Sequence, residues 1–433
     1  MSEAGPAVAL GLDVGTSGIR AALLSGSGAL LGLWRRPLPA PIVQGDRIEQ
    51  DPSIWAGELD ALISAIGQEI DLGHLKAIAI DGTSGTLLAC DARGQPLGPA
   101  LMYHDRRASA QAARLQAVAP AESGAHGASS SLSKWLWLSD QGLLTEPAYP
   151  CHQADWLLNR WLGFACEPLI SDENNALKLG YDPVLRRWPD WLDDLIPTSR
   201  RPSVLPPGTV VGPIYPQVAR QLGLPETVML VTGTTDSIAA VYATGAHKPG
   251  DAITSLGSTL ALKLVSPLAV FDPASGVYSH RFGDHFLVGG ASNTGGAVLA
   301  ALFPGKDLAE LSARIDPRRR SCLEYYPLLQ PGERFPINDP NLPPKLTPRP
   351  KDASRYLHGM LEAMARIEKR GYQRLSALGA PTPQRILTSG GGAANPQWTA
   401  IRSRVLGIRV QACSDSHCEA AVGTAKLALK AIS

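Results

Sequence analysis

Charge is scarce in this sequence: Asp, Glu, Lys and Arg make up 18% of 433 residues and leave a formal net charge of +1. No strong field steers an ionic partner, which argues against nucleic acid or a membrane surface as the target. The six cysteines, at 90, 151, 166, 322, 413 and 418, form no C-x-x-C pair and sit in no His-rich cluster. Buried free thiols of a reducing compartment are expected, not disulfides. The opening MSEAGPAVALGLDVG has no basic segment, and its apolar stretch runs straight into a glycine turn, as a first strand would. Neither a signal peptide nor a membrane span is expected, and the chain reads as soluble and cytoplasmic. Also missing are a G-x-x-x-x-G-K-S/T loop and an H-R-D loop, which excludes two common ways of building a phosphate site. GSGALLG at 26–32 lacks the G-x-G-x-x-G spacing and reads as a hairpin.

What is present is apolar and periodic. Hydrophobic residues are 44% of the chain, enough for large cores, and the length points to two or three domains with a cleft. VALGLDVGTSGIRAALLSGSGALLG alternates apolar runs with glycine turns and reads as a β-meander. Ile54, Leu59, Leu62, Ile63 and Ile66 recur at helical spacing after Asp51-Pro52, predicting a helix from Ser53 to about Ile70. Strand-like runs follow in LKAIAIDGTSGTLLACD, then helical patterns between about 108 and 165 around Trp135, Trp156 and Trp161. VMLVTGTTDSIAAVYATGAHKPG predicts strand, turn and helix, ended by Gly245. The opening theme then returns in DAITSLGSTLALKLVS and HFLVGGASNTGGAVLAALF, so two halves on one plan are expected, with a boundary near Thr244. Tyr325 to Pro350 is proline-rich and reads as an extended surface loop. A long apolar helix follows, then strand, helix and helix.

Three glycine turns are candidates for chemistry. In GLDVGTSG an apolar strand delivers Asp13 to its end, and Gly15, Thr16, Ser17 and Gly18 turn sharply, exposing backbone N–H groups beside a hydroxyl. Such a turn suits a phosphate and its metal, or is simply a hairpin. TGTTDSIAA sets Asp236 at a strand-to-helix junction, to cap the helix or to face a cleft. Two such carboxylates, with a third turn at SLGST, match the needs of phosphoryl transfer: one acid near Mg²⁺, another to accept a proton. In TSGGGAANPQW, Asn395 as N-cap and Pro396 at the first helical position explain the string structurally. The functional alternative lays a flat heterocycle against Gly391 and Gly392, with Asn395 at its edge.

Taken in order, these segments resemble the FGGY family of carbohydrate kinases, within the actin, hexokinase and Hsp70 superfold. SSSLSKWLWLSDQ at 129–141 is similar to the family signature, with Lys134 and Trp137 in place, and GVYSH, GERFPINDP and EAAVGTAKLAL fall where the family has similar strings. IDGTSGTLLACD, SDENNALKLGYD and TGTTDSIAA resemble the short D-ribulose kinases of cyanobacteria and plants. Xylulose kinases, by similarity, carry Met-His where this chain has Thr83-Ser84, and glycerol kinases carry Arg-Glu a little beyond.

The resemblance implies an α/β fold of two actin-like, RNase H-like ATPase lobes with an interdomain cleft. An N-terminal domain would cover 1–243 and a C-terminal one 244–433, with a final helix at about 417–433 packing back on the first. It implies a kinase using ATP and Mg²⁺ to phosphorylate the terminal hydroxyl of a ketopentose, D-ribulose foremost. Asp13 would stand by Mg²⁺, phosphates and sugar, Ser84 by the sugar, and Asp236 would bind the sugar and be the base. Gly15, Thr16 and Ser17, with Gly257, Ser258 and Thr259, would form the two phosphate turns, and Gly391, Gly392 and Asn395 would contact the adenosine. Partners would be small molecules only, with monomer and homodimer both open. Rival readings are a kinase for D-xylulose, L-ribulose or a ribitol-type polyol, and an actin-like ATPase or sugar-binding protein without kinase activity.

Overall fold

The computed structural model describes residues 5–144, 147–413 and 419–433. The chain divides into two compact units, one of Met1–Ala243 with Ser416–Ser433, the other of Thr244–Asp415.

The first unit is built on a six-stranded sheet. The opening apolar runs become β1 (Ala7–Val14), β2 (Gly18–Ser25) and β3 (Leu30–Pro37). β4 (Ala77–Gly82), β5 (Val210–Pro213) and β6 (Met229–Val231) complete the order β5-β6-β4-β1-β2-β3. β1 pairs antiparallel with β2 and parallel with β4, and every residue of β1 is buried. That burial requires cover on both faces, which is why β1 reads as a continuous apolar run. One face is covered by the helix Pro52–Glu69, capped by Asp51 as the Asp-Pro signal predicts, whose Trp55, Leu59 and Ile63 lie in the core.

The other face takes the closing helix Ala420–Ala431, whose Ala421, Ala425 and Ala428 pack with Ala9 and Ala79. Small residues are needed because backbones nearly touch. A Cβ on Gly11 would lie 2.1 Å from Ala425 N, and one on Gly423 would lie 1.8 Å from Ala239 O. A smaller five-stranded sheet carries Leu87–Cys90 and Tyr149–His152. Within the stretch read as helical between 108 and 165, helices form at Ser109–Leu115, Ser131–Asp140 and Gln153–Trp161, with the last of these strands between them.

The second unit repeats the plan. β7 (Asp251–Leu256), β8 (Leu260–Ser266), β9 (Tyr278–Phe282), β10 (His285–Ser292), β11 (Arg385–Ser389) and β12 (Val410–Ala412) are ordered β9-β10-β8-β7-β11-β12. Again the first strand makes an antiparallel hairpin with the second and a parallel pair with a strand that returns after a crossover. The 25-residue helix Ala353–Ala377 packs on this sheet, and its Gly371 is required where a Cβ would meet Leu262 and Phe335.

Two expectations are met only in part. The Tyr325–Pro350 segment has no helix or strand and is largely exposed, as a surface loop should be, but it is anchored by buried Tyr325, Leu328, Glu333 and Phe335. Glu333 accepts from Ser292 Oγ at 2.6 Å, from Asn293 N–H at 2.7 Å and from Tyr326 Oη at 2.8 Å. The prolines stop regular structure, while a few apolar side chains and a hydrogen-bonded carboxylate pin the segment onto the core. Among the described cysteines all are free thiols, but only Cys90 and Cys151 are buried, while Cys322 is exposed; Cys418 lies outside the described residues. No described helix is long and apolar enough to cross a membrane.

Candidate active site

Three aspartates gather at the carboxyl end of the first sheet. Parallel pairing sets Asp13 on β1 directly beside Asp81 on β4. Thr235 bridges to Gly82 on the next strand line, and Asp236 follows it as the first residue of the helix Asp236–Thr244. Asp13 is buried and accepts from Arg20 Nη1 at 2.9 Å. Asp236 is half-buried, and its Oδ1 accepts from the Ser237 N–H at 2.6 Å.

Asp81 is fully buried between them. Burial first, then the charge of Asp13, and more weakly that of Asp236, push its carboxyl well above the usual range, while the Thr424 hydroxyl donating to Oδ2 works the other way. Asp81 Oδ1 has no hydrogen-bond partner among the described residues. The sequence carried a signal for Asp81: IAIDGTSG repeats the strand-Asp-Gly-Thr-Ser order of LGLDVGTSG.

The two turns beside these acids differ. The Gly15–Gly18 turn is closed by the Gly15 N–H donating to Gly18 O at 3.1 Å, leaving Thr16 half-buried and Ser17 exposed. A Cβ at Gly15 would lie 3.4 Å from Arg20 Nη1, so the cation runs beneath the turn. The turn after β4 holds Ser84, half-buried, with its carbonyl accepting from Lys178 Nζ at 3.1 Å. The adjacent Gly85 carbonyl accepts from Lys134 Nζ at 2.7 Å, and Lys134 also donates to Met102 O at 2.7 Å. Lys134 is buried in the helix Ser131–Asp140; burial, then the charge of Lys178, lower its pKa to about 7. Lys134 thus ties the Met102 carbonyl to the Gly85 carbonyl, and Tyr103 and His104, whose ring centroids are 4.3 Å apart, follow Met102 in the chain. Sequence reasoning missed Arg20, His104 and Lys178, which no local motif marks.

The second unit holds a cavity of about 750 Å³ lined by Leu256, Gly257, Ser258, Leu308, Gly391, Gly392, Asn395 and Trp398, among others. Thr259, expected with Gly257 and Ser258, is not on the lining. Its carbonyl instead accepts the Gly257 N–H at 3.2 Å and closes the turn. A Cβ at Gly391 would meet nothing within 4 Å, so the lining is open there. At Gly392 it would lie 2.7 Å from both Leu256 Cβ and Trp398 Cζ3, so packing alone accounts for that glycine. Asn395 caps the helix Pro396–Leu406 through Oδ1 to Trp398 N–H at 2.9 Å, and its Nδ2 donates to Ser312 Oγ at 2.8 Å. One Nδ2 hydrogen and one Oδ1 lone pair are spent within the protein, which fixes the amide's orientation and leaves its second N–H for a ligand.

Two sheets of one plan, with carboxylates at the end of one and glycine turns around an apolar cavity in the other, make up the fold of a sugar kinase. A xylulose kinase from Rhodospirillum rubrum matches it with a TM-score of 0.85 at 23% identity, covering 97% of this chain and 88% of that one. A Plasmodium falciparum glycerol kinase with ADP matches with a TM-score of 0.83 at 16% identity, over 100% and 91%. The chain belongs to the FGGY family of carbohydrate kinases: the model of the family's N-terminal domain matches residues 8–243 and that of its C-terminal domain residues 252–432. A xylulose kinase of Klebsiella pneumoniae is 26% identical over 98% of this chain and 90% of that protein. A glycerol kinase of Gloeobacter violaceus is 30% identical over 58% of this chain and 51% of that protein.

Proposed function

We propose that this carbohydrate kinase transfers the γ-phosphoryl group of ATP to the terminal hydroxyl of D-ribulose, giving ADP and D-ribulose 5-phosphate. The observation that carries the reading is the meeting of Asp13, Asp81 and Asp236 at one sheet end, with the Ser84 turn opening from the same end. The Asp236 carboxylate accepts the proton of the attacking hydroxyl as the oxygen bonds to the γ-phosphorus and the bond to the β-phosphate oxygen breaks. Because phosphoryl transfer is loose, positioning and charge stabilisation outweigh base strength.

The donor set fits a hydrated Mg²⁺, a hard cation that takes oxygen ligands: Asp13 is there, and Asp81 Oδ1 is a buried oxygen without a partner among the described residues. When bound, the ion offsets charge on the β- and γ-phosphates. Thr16 and Ser17 would meet phosphates through their turn, and Arg20 steadies Asp13. The cavity beside Gly257, Ser258 and Gly391 has the apolar walls a purine needs. Ser84, in a turn where xylulose kinases carry Met-His by resemblance, supports ribulose.

A second reading, D-xylulose, is favoured by the xylulose kinases that match nearly the full chain. A coupled assay of ADP release over D-ribulose, L-ribulose, D-xylulose, ribitol and glycerol separates the two. D-ribulose is expected to give the highest kcat/KM; a higher value for D-xylulose would replace the proposal with the second reading.

A further inference from the structure

Lys178 is the unusual group near the Ser84 turn. It follows a short helix, Glu173–Ala176, that Asp172 caps through Asn174 and Asn175, and it is half-buried. Its Nζ donates to Ser84 O at 3.1 Å, and no other hydrogen-bond acceptor for it occurs among the described residues. An ammonium has three donors, so two N–H groups are unspent within the protein. The negative charge of Asp236 acts on Lys178 and favours its charged form against burial, which lowers its pKa. The amine therefore bonds the turn that carries Ser84 and feels the charge of the carboxylate assigned as base. Gly85, at φ +87°, has its missing Cβ aimed at the same side chain: a Cβ there would lie 3.0 Å from Lys178 Cδ and 3.3 Å from Nζ. The turn is shaped to admit this lysine.

From this placement we infer that Lys178 is a specificity-determining residue, whose ammonium holds the Ser84 turn and donates a hydrogen bond to an oxygen of the sugar beside the reacting hydroxyl. The inference rests on the kinase reading above. A half-buried cation with unspent donors is satisfied by an oxygen-rich acceptor and left unsatisfied by an apolar one, so it selects at this position for a polyhydroxy ketone. Lys134, on the neighbouring carbonyl, positions the turn from beneath and has no such spare reach: two of its donors are bonded at 2.7 Å and its side chain is fully buried.

The test compares wild type, Lys178→Met, Lys178→Arg and Gly85→Ala with the best sugar of the panel. It measures KM for sugar and for ATP, kcat, melting temperature, and sugar binding by calorimetry. Loss of a charge-assisted hydrogen bond predicts that Lys178→Met raises KM and Kd for the sugar by about 10- to 100-fold, with KM for ATP moving much less. Lys178→Arg should recover part of that loss, and Gly85→Ala, which displaces the amine, should reproduce it. Sugar affinity within twofold of wild type in Lys178→Met overturns the inference. So does an equal rise in both KM values with a fallen melting temperature, since that marks a structural role. If wild type turns over no sugar at all, the kinase reading fails and takes this inference with it; an active wild type with an indifferent Lys178→Met sinks the inference alone.

Discussion

Asp13 and Ser255 occupy equivalent places in the two units. Each is the next-to-last residue of a first strand, two residues before a turn glycine, and each pairs in parallel with a residue of the crossover strand: Asp13 with Asp81, Ser255 with Ser389. In the first unit both positions are acids, one driven toward its protonated form by burial and then by the charge of the other. In the second both are serines, whose hydroxyls are 3.0 Å apart. The same backbone thus presents charge at one sheet end and neutral hydroxyls at the other. Charge at the first end suits phosphates with their cation; the neutral end borders the apolar cavity. Geometry came from the repeated fold, and chemistry from two side chains per unit.

The comparison can be broken most forcefully at the charged end. Asp236→Ala is expected to lower kcat by about two to four orders of magnitude while changing sugar KM little, as for removal of a general base. Steady-state kinetics with near-wild-type turnover would remove the catalytic role.

The second unit keeps its own buried charges, but as structure: Glu368 and Arg402 are fully buried and bonded twice at 2.7 Å, with Thr254 and Thr388 completing the set. Glu368→Gln leaves the guanidinium uncompensated and is expected to cost about 3–5 kcal/mol. Denaturant titration checks this, and a loss below about 1 kcal/mol would show the pair to be dispensable.

Lys134 in the first unit has carbonyls in place of a carboxylate partner, so its effect follows pH. Its folded pKa, about 7, is below the unfolded value. Between pH 7 and about 10 the unfolded chain therefore binds a proton the folded one lacks, and stability from this group rises with pH. The contribution is at its most unfavourable below pH 7, where both states are protonated. Unfolding free energies of wild type and Lys134→Met should diverge upward for wild type across that window; parallel curves would refute the shift. Smallest of all, Ser255→Ala should cost about 1 kcal/mol, the worth of one neutral hydrogen bond. A loss of several kcal/mol on chemical unfolding would mean the hydroxyl pair does more than the acids' counterpart position suggests.

Much of this was legible in the chain. Apolar runs between glycine turns marked β1, β2, β7 and β8, Asp51-Pro52 and Asn395-Pro396 marked helix starts, and the GLDVGTSG and TGTTDSIAA strings marked where Asp13 and Asp236 would stand. The Tyr325–Pro350 loop was legible from its prolines, but the anchoring burial of Phe335 and Glu333 was not, because it depends on partners far away in sequence. Lys178 was invisible for the same reason. Its partner Ser84 is 94 residues distant, and nothing local distinguishes it from a surface lysine.

By itself the sequence determined the local periodicities, the turn positions and the family, since these depend on backbone preferences and on strings read in order. Tertiary structure alone decided that Asp81 joins Asp13 and Asp236, that the Asn395 amide is held by Trp398 and Ser312, and that Lys178 donates to the Ser84 carbonyl. These are consequences of strand register and packing between segments remote in the chain. Proximity of that kind sets burial, charge and unspent donors, which no single segment encodes.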